Sequence, residues 1–356
     1  METFEAASAF AFPDERVWVV GDLHGNARWL QTLLPAMRRV DPTVRTILQL
    51  GDYGFDHGGQ GTHPVDYWAK KVGIERVLVT LGNHEEWNHI TPAQEAVPGH
   101  AIRVSEVVWL LPRPFRFTIA DREVLSLGGA SSVDKALRTP GKDWFEDELV
   151  SEPMVAEAIS GGPADLLLTH ESPAHAVPEV QAILRENAHD YPLNALTLSA
   201  AQRERVQLIS DAVKPRLHMH GHMHTFGTRQ IGDTRRVISL DRDTFSGNAG
   251  LLDMGPLAFE PIPLRPARPR GAHGAREETS VTEQAADRLS GVGATIDVDQ
   301  ALALIEKGQQ LAGHFPNSEA LHRARRILLG DLSPAEAERE MHAAVQRIVE
   351  RERSQE

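Results

Sequence analysis

The sequence predicts an α/β fold, and two observations support this prediction. Short runs rich in Val, Ile and Leu alternate, over the first quarter of the chain, with segments whose apolar residues recur at helical spacing. Each apolar run also ends in polar residues such as Gly-Asp or Asn-His. Strands that alternate with helices form parallel sheets, and the residues that follow such strands meet at the carboxyl edge of the sheet. We therefore expect a functional site at that edge.

The first predicted elements alternate regularly. Strands are predicted at 16–25, 44–54 and 75–85, and helices at 26–40 and 65–73. Asn26 stands directly before the first helical period, where an Asn side chain caps a helix.

The middle of the chain has a different pattern. Short apolar runs separated by Pro and by Ala120-Asp121 occupy 107–129, so this stretch is expected to be antiparallel. The remaining predicted elements are helices at 151–160 and 199–213, strands at 164–173, 235–241 and 249–255, and a strand that ends at His220.

The composition changes beyond residue 260. Residues 261–295 are rich in Pro, Gly and Arg and have no apolar period, so we expect a flexible linker there. Residues 296–356 return to helical spacing, and Ser333-Pro334 with Glu336 forms a capping box. The prediction is a main domain over 1–260 followed by a small α-helical module over 296–356.

The overall composition limits the function classes. The formal net charge of the 356 residues is −13, which argues against broad, sequence-independent nucleic-acid binding. The absence of cysteine excludes disulfides and thiolate metal ligands, so any metal site must use His, Asp, Asn or Glu. No basic leader segment and no apolar run of membrane-spanning length occurs, which predicts a cytoplasmic protein with no membrane partner.

Polar residues recur at five successive strand ends. The blocks are Asp22-x-His24, Gly51-Asp52, Gly82-Asn83-His84-Glu85, His170 and Gly221-His222-x-His224. The last block belongs to the tract "HMHGHMH", which alone could be a compositional feature rather than a site. Five such blocks at one sheet edge instead favour a site for divalent ions such as Mn, Fe or Zn.

These five blocks, in this order, resemble the calcineurin-like metallophosphoesterase family. The family pattern is D-x-H, G-D, G-N-H-[DE], H and G-H-x-H, and here it spans residues 22–224. The resemblance implies a four-layer α/β/β/α sandwich with mixed sheets. It also implies phosphate-ester hydrolysis by a hydroxide held between two divalent metal ions.

The resemblance implies a role for each matching residue. The first metal would be bound by Asp22, His24 and His224, the second by Asn83, His170 and His222, and Asp52 would bridge the two. His84 would be a catalytic residue that stabilises the transition state or protonates the leaving oxygen. The other two histidines of the tract, His218 and His220, are expected to pack beneath the site.

The sequence departs from the protein Ser/Thr phosphatases of this family. Those enzymes have G-D-x-x-D-R, whereas this chain has "GDYGFDHGG", with Asp56 one residue too late and His57 in place of Arg. The usual support of the catalytic histidine is therefore in doubt, although Asp56 could still reach His84 if the loop bulges.

A Gly-rich segment at 128–148 contains Arg138, Lys142 and Trp144. It could reach over the site and offer Arg138 as a substrate-binding residue for a phosphate, or it could be an ordinary surface loop. Both interpretations remain open. Tyr53, Phe55 and Trp87 flank the motif ends, where core or rim packing is the more common role of aromatic residues than stacking on a base.

The sequence therefore predicts a metal-dependent phosphoesterase that acts on a phosphomonoester or a phosphodiester. A Ser/Thr-type protein phosphatase and a non-catalytic scaffold with the same fold are the alternatives. The C-terminal helices could bind a protein partner or mediate self-association.

Overall fold

The computed structural model describes residues 4–54, 62–187 and 191–263, together with seven positions between 322 and 336. The chain divides into two compact units, residues 1–269 and 270–356. The predicted linker and helical module lie almost entirely outside the described residues and stay predictions. Within the described residues, no helix is both long enough and apolar enough to span a membrane.

The first unit contains two mixed β-sheets. The eight-stranded sheet has the spatial order Glu5–Ala7 (β1), Ala101–Arg103 (β6), Val108–Leu110 (β7), Arg76–Val79 (β5), Thr46–Gln49 (β4), Arg16–Val20 (β3), Ala249–Asp253 (β14) and Ala258–Pro261 (β15). The seven-stranded sheet has the order Gly227–Ile231 (β12), Arg235–Ser239 (β13), Leu217–His220 (β11), Leu166–Thr169 (β10), Arg122–Leu127 (β9), Phe115–Ile119 (β8) and Ala11–Phe12 (β2).

The centre of each sheet is parallel. Strands β3, β4, β5 and β7 run parallel in the first sheet, and β9, β10, β11 and β13 run parallel in the second. Antiparallel pairs lie toward the edges, as between β3 and β14 or between β8 and β9. The expectation that 107–129 is antiparallel is confirmed for β8 with β9. It is wrong for the pairing of β7 with β5, which is parallel, because β7 lies in the first sheet and the chain enters the second sheet only at β8.

The helices lie on the outer faces. They are Ala27–Val40 (α1), His63–Val72 (α2), Trp87–Glu95 (α3), Glu152–Ser160 (α4), Pro178–Glu186 (α5) and Leu193–Val213 (α6). The predicted cap of α1 is confirmed, since Asn26 Oδ1 accepts a hydrogen bond from the Trp29 N–H at 3.0 Å. The sequence pattern predicts neither α3 nor α5, and α6 begins at residue 193 rather than at 199.

Alternation along the strands produces the layers. In β3, Val17 and Val19 join a core between the two sheets, while Trp18 and Val20 pack against α1 and α2. On the far face of the second sheet, Leu167 packs with Ile209 of α6. Because successive strand residues point to opposite faces, each sheet is covered on both sides. The result is the predicted four-layer α/β/β/α arrangement, with the carboxyl ends of both parallel centres at one edge.

Candidate metal centre

Loops from both sheets build one polar cluster. Asp22 follows β3, Asp52 follows β4, Asn83 and His84 follow β5, His170 follows β10, and His222 and His224 follow β11. The sequence predicted a cluster at the edge of a single sheet, and the structure places it where the edges of two stacked sheets meet. All the predicted ligand residues nevertheless come together.

The first ligand group consists of Asp22, His24, Asp52 and His224, each of which offers one ligand atom within 4.8 Å of the others. His224 Nε2 lies 3.1 Å from Asp22 Oδ2, and His24 Nε2 lies 3.5 Å from Asp52 Oδ2. This group faces the solvent, because the side chains of His24 and His224 are 22% and 40% exposed.

The second ligand group consists of Asp52, His170 and His222, and it is more deeply buried. His170 Nε2 lies 3.2 Å from Asp52 Oδ1 and 2.9 Å from the side-chain oxygen of Asn83. The other ring nitrogen of His170 lies 2.7 Å from the Leu50 carbonyl, which can only accept, so that nitrogen carries a proton. When the ring is neutral, Nε2 therefore carries a lone pair. This nitrogen, Asp52 Oδ1 and the side-chain oxygen of Asn83 then direct three lone pairs toward one another.

This donor set fits divalent cations. Asp52 Oδ2 is buried and accepts no hydrogen bond within the described part of the chain. A buried carboxylate oxygen that accepts no hydrogen bond is costly, whereas a bound cation would satisfy it. Imidazole nitrogens with Asp and Asn oxygens suit transition-metal ions, and Asp52 belongs to both groups.

The electrostatics of the cluster attract positive charge. Burial by itself raises the pKa of Asp52, but His170 and His84 outweigh it and hold that pKa well below its usual range. Burial likewise disfavours the charged form of His24 and His170, yet the surrounding carboxylates raise the pKa of each ring to about 10. The carboxylates thus require compensating positive charge, which a ring proton or a metal ion can supply.

His84 and Arg138 meet beside the two groups. Arg138 Nη2 donates to His84 Nε2 at 3.1 Å, and His84 Nε2 lies 3.9 Å from Asp52 Oδ2. Removal from water, together with Arg138 and His24, lowers the pKa of His84 to about 4 against the opposing effect of Asp52. Asp134 holds the guanidinium through two contacts of 2.7 Å. The predicted loop therefore does bring Arg138 to the cluster.

The backbone of the cluster is unusual in conformation. His24, Asp52, His222 and His224 have φ values of 46°, 48°, 66° and 47°, in the left-handed region that most residues avoid. Such strain is concentrated at functional sites, where the surrounding structure maintains it. A β-carbon at Gly221 would collide with Asp22 Oδ1, in the loop after β3. Glycine at this position therefore lets the loop that carries His222 and His224 approach Asp22 closely.

Comparison with known proteins identifies the family. Residues 15–226 match the family model described as calcineurin-like phosphoesterase, which covers more than half of the chain. The chain belongs to this family. It is thus a hydrolase that acts on phosphate esters, and its Asp and His groups indicate divalent metal ions as cofactors. A comparison with curated protein sequences found no match.

A comparison with solved structures found matches of low sequence identity. A dimetal phosphatase from Danio rerio has 14% identity and a TM-score of 0.40, over 74% of this chain and 100% of its own. The protein TT1561 of Thermus thermophilus has 12% identity and a TM-score of 0.42, over 70% and 99%. A putative 5'-nucleotidase from Staphylococcus aureus, solved with alpha-ketoglutarate, has 14% identity and a TM-score of 0.40, over 77% and 57%.

Sequence reasoning missed Asp243, which supports the first ligand group of this phosphoesterase. Its Oδ1 lies 3.1 Å from His24 Nδ1, and its Oδ2 accepts a hydrogen bond from Asn26. A carboxylate can only accept here, so Nδ1 of His24 is protonated and Nε2 faces the cluster. Asp243 lies beyond the residues that match the family model, and no motif marks it.

Two buried glutamates connect the loops: Glu85, which stands in a predicted block but was assigned no role, and Glu171, which sequence reasoning missed. Glu85 accepts hydrogen bonds from the N–H groups of Tyr53 at 3.0 Å and Gly82 at 2.9 Å, which joins the loops after β4 and β5. Glu171 accepts from the Ser131 N–H at 3.3 Å, which joins the loops after β9 and β10, and burial raises its pKa to about 7. Glu85 ends the predicted G-N-H-[DE] block, so that block gave a signal for it.

The other residues singled out from the sequence are accounted for as follows. His218 and His220 are buried beneath the cluster as predicted, and His218 Nε2 lies 2.9 Å from Thr169 Oγ1. Tyr53 and Trp87 are core residues with 1% and 0% exposure, so neither can stack on a ligand. Phe55, Asp56 and His57 lie outside the described residues, so the support of His84 by Asp56 stays a prediction.

Proposed function

We propose that this phosphoesterase hydrolyses a small phosphomonoester or phosphodiester with two divalent cations in the two ligand groups. The observation that carries the proposal is that the groups share Asp52 while each has its own histidines and acceptor oxygens. Asp22, His24, Asp52 and His224 would hold one cation, and Asp52, Asn83, His170 and His222 the other. Bound cations would supply an acidified water as nucleophile and neutralise the charge of the phosphate.

Arg138 and His84 would contact the substrate. The guanidinium is fixed by Asp134 and by the Asp143 carbonyl, so one N–H remains directed at His84 Nε2. A phosphate oxygen placed there would accept from Arg138 in place of the imidazole, and His84 would then lie beside the leaving oxygen. Fixed donors of this kind stabilise charge that develops in the transition state.

The source of this arginine favours a small-molecule ester over a phosphoprotein. In the protein Ser/Thr phosphatases of this family, the arginine of G-D-x-x-D-R stands in the loop after the bridging aspartate, where this chain has His57. Here the guanidinium comes from the segment after β9. A non-catalytic scaffold is the weaker alternative, because all seven proposed ligand residues and His84 are present and adjacent.

The first test is hydrolysis by metal-stripped full-length protein with Mn²⁺, Fe²⁺ or Zn²⁺ added back. p-Nitrophenyl phosphate, bis-p-nitrophenyl phosphate and a phosphoserine peptide would serve as substrates. We expect metal-dependent turnover of one of the two nitrophenyl esters and much slower turnover of the peptide. Asp52→Asn should lower turnover at least about a hundredfold, because the shared ligand loses its charge.

A matched control distinguishes loss of the shared ligand from loss of folding. Asp66 is another buried aspartate, whose Oδ1 accepts from Ser105 and Val107 away from the cluster. Asp66→Asn should keep wild-type turnover. Absence of hydrolysis of every substrate with each metal, in protein that binds two metal ions, would favour the scaffold, and comparable turnover of the peptide would favour the protein phosphatase.

A further inference from the structure

The side-chain amide of Asn83 is buried and held at both ends. Its oxygen lies 2.9 Å from His170 Nε2, and its nitrogen donates to Ser132 Oγ at 2.9 Å. Only the oxygen end of an amide can serve as a metal ligand. The two ends have nearly the same shape, so packing alone cannot decide which one faces the second ligand group. A neighbour of fixed hydrogen-bond polarity has to decide.

Ser132 and Glu148 provide that polarity. Ser132 Oγ donates its single proton to Glu148 Oε2 at 2.8 Å, so its lone pair must accept from the amide nitrogen. The other carboxylate oxygen of Glu148 accepts from the Ser132 N–H at 2.7 Å. Burial raises the pKa of Glu148 to about 7, so its carboxyl is ionised above that pH. The ionised carboxylate has no proton to offer, so at pH 8, where the test below is carried out, Glu148 sets the direction of the whole chain of bonds.

We propose that Ser132 and Glu148 are positioning residues, which keep the oxygen of Asn83 directed at the second ligand group. The inference rests on the proposed function, since Asn83 is a ligand only if a cation binds there. Neither residue belongs to the five motif blocks of the family. Both come from the segment 128–148 that also carries Arg138, so one loop orients a ligand and delivers the substrate-binding guanidinium.

Ser132 and Glu148 could also serve only to stabilise the loop, and this structural role must be distinguished from orientation of the Asn83 amide. The side chain of Glu148 accepts from both the N–H and the hydroxyl of Ser132, so it also fastens two ends of the loop together. Loss of this anchoring would disturb the loop whatever residue stands at position 83. Loss of amide orientation matters only while position 83 has two different ends.

Two substitutions act on the polarity in different ways. Ser132→Ala removes the acceptor and leaves the amide free to turn over. Glu148→Gln keeps the shape, and its oxygen can still accept from the Ser132 N–H, but its amide now donates to Ser132 Oγ. The serine proton then turns toward Asn83, whose oxygen becomes its acceptor, and the amide nitrogen faces the cations.

The test is calorimetric titration of metal-free full-length protein with Mn²⁺ at pH 8. The wild type should bind two ions. Ser132→Ala should weaken one of them about tenfold and Glu148→Gln about a hundredfold, the range found for partners that orient metal ligands, while the other ion binds as before. In an Asn83→Asp background both ends of the side chain are oxygens. There neither substitution should weaken binding by more than about twofold.

The outcomes separate the inference from the proposed function. If the wild type binds two ions and either substitution leaves both affinities unchanged, the inference is wrong and the proposed function stands. Equal losses in the Asn83 and Asn83→Asp backgrounds would show a structural role only and would also overturn it. If the wild type binds no Mn²⁺, and Fe²⁺ and Zn²⁺ likewise, both fail together.

Discussion

The two ligand groups share Asp52 but differ in their surroundings. In the first group, His24 and His224 lie near the solvent, and the partner of His24 is Asp243 in the loop before β14. In the second group, His170 is fully buried and held by a backbone carbonyl from inside the fold. The difference shows that one cluster can combine a group of ligands that is accessible from solvent with a second group that is buried in the core.

The largest expected effect comes from two histidines of the same turn. His222 belongs to the second group and His224 to the first, although only one residue separates them. We expect His222→Ala to remove the second cation and His224→Ala the first. Each loss should exceed about a hundredfold in affinity, since a ligand contributes more than the residues that orient it. Elemental analysis after dialysis should show one metal ion in each variant.

His218→Ala in the same tract is the matched control, because this histidine is buried beneath the cluster and belongs to neither group. It should retain two metal ions even if its stability falls. Loss of both ions in either ligand variant would mean that the two groups act as one unit, and the comparison would fail.

Asp243 allows the more exposed group to be weakened alone. Asp243→Ala leaves His24 Nδ1 without its acceptor, so the ring can adopt the other tautomer or turn away from the cluster. We expect the first cation to bind about 10- to 100-fold more weakly and the second to be unaffected, measured by Mn²⁺ titration. Asp253→Ala, at the end of β14, removes a carboxylate bonded to the Gly255 N–H and should change neither affinity. Equal weakening of both cations by Asp243→Ala would contradict this assignment.

The ligand residues could be found from the sequence because they follow strands. Each stands within a few positions of a recognisable apolar run, and the order of the blocks carries the family pattern. The four layers followed from the same resemblance. The edge strands were less visible, because segments as short as Ala11–Phe12 and Glu5–Ala7 contain too few residues to show a period.

The supporting residues could not be found in this way. Asp243 contacts His24, and Glu148 contacts Ser132, only because the chain is folded. The residues around them in the sequence show no motif or period that would indicate these contacts. Asp243 stands 219 positions from the histidine that it orients. Contacts between such distant residues depend on how loops far apart in the sequence meet in the fold. No short stretch of sequence contains that information.

Substitution of Asn26 should have the smallest effect, and it separates capping of α1 from support of Asp243. Its side-chain oxygen caps α1, and its nitrogen donates to Asp243 Oδ2, so it links the start of a helix to the support of the first group. Asn26→Ala should lower the free energy of unfolding of the metal-free protein by about 1 kcal/mol through loss of the cap. Asn26→Ser keeps a capping oxygen but has no amide to reach Asp243. Urea unfolding should therefore find the serine variant within a few tenths of a kcal/mol of the wild type.

Both Asn26 variants should weaken the first cation only a few-fold, because Asp243 loses one hydrogen-bond donor but keeps its direct contact with His24. The second cation should not change in either. If serine destabilises the protein as much as alanine does, the cap is not the source of the stability. If neither variant changes the first cation's affinity, the support of His24 ends at Asp243 and does not extend to the helix.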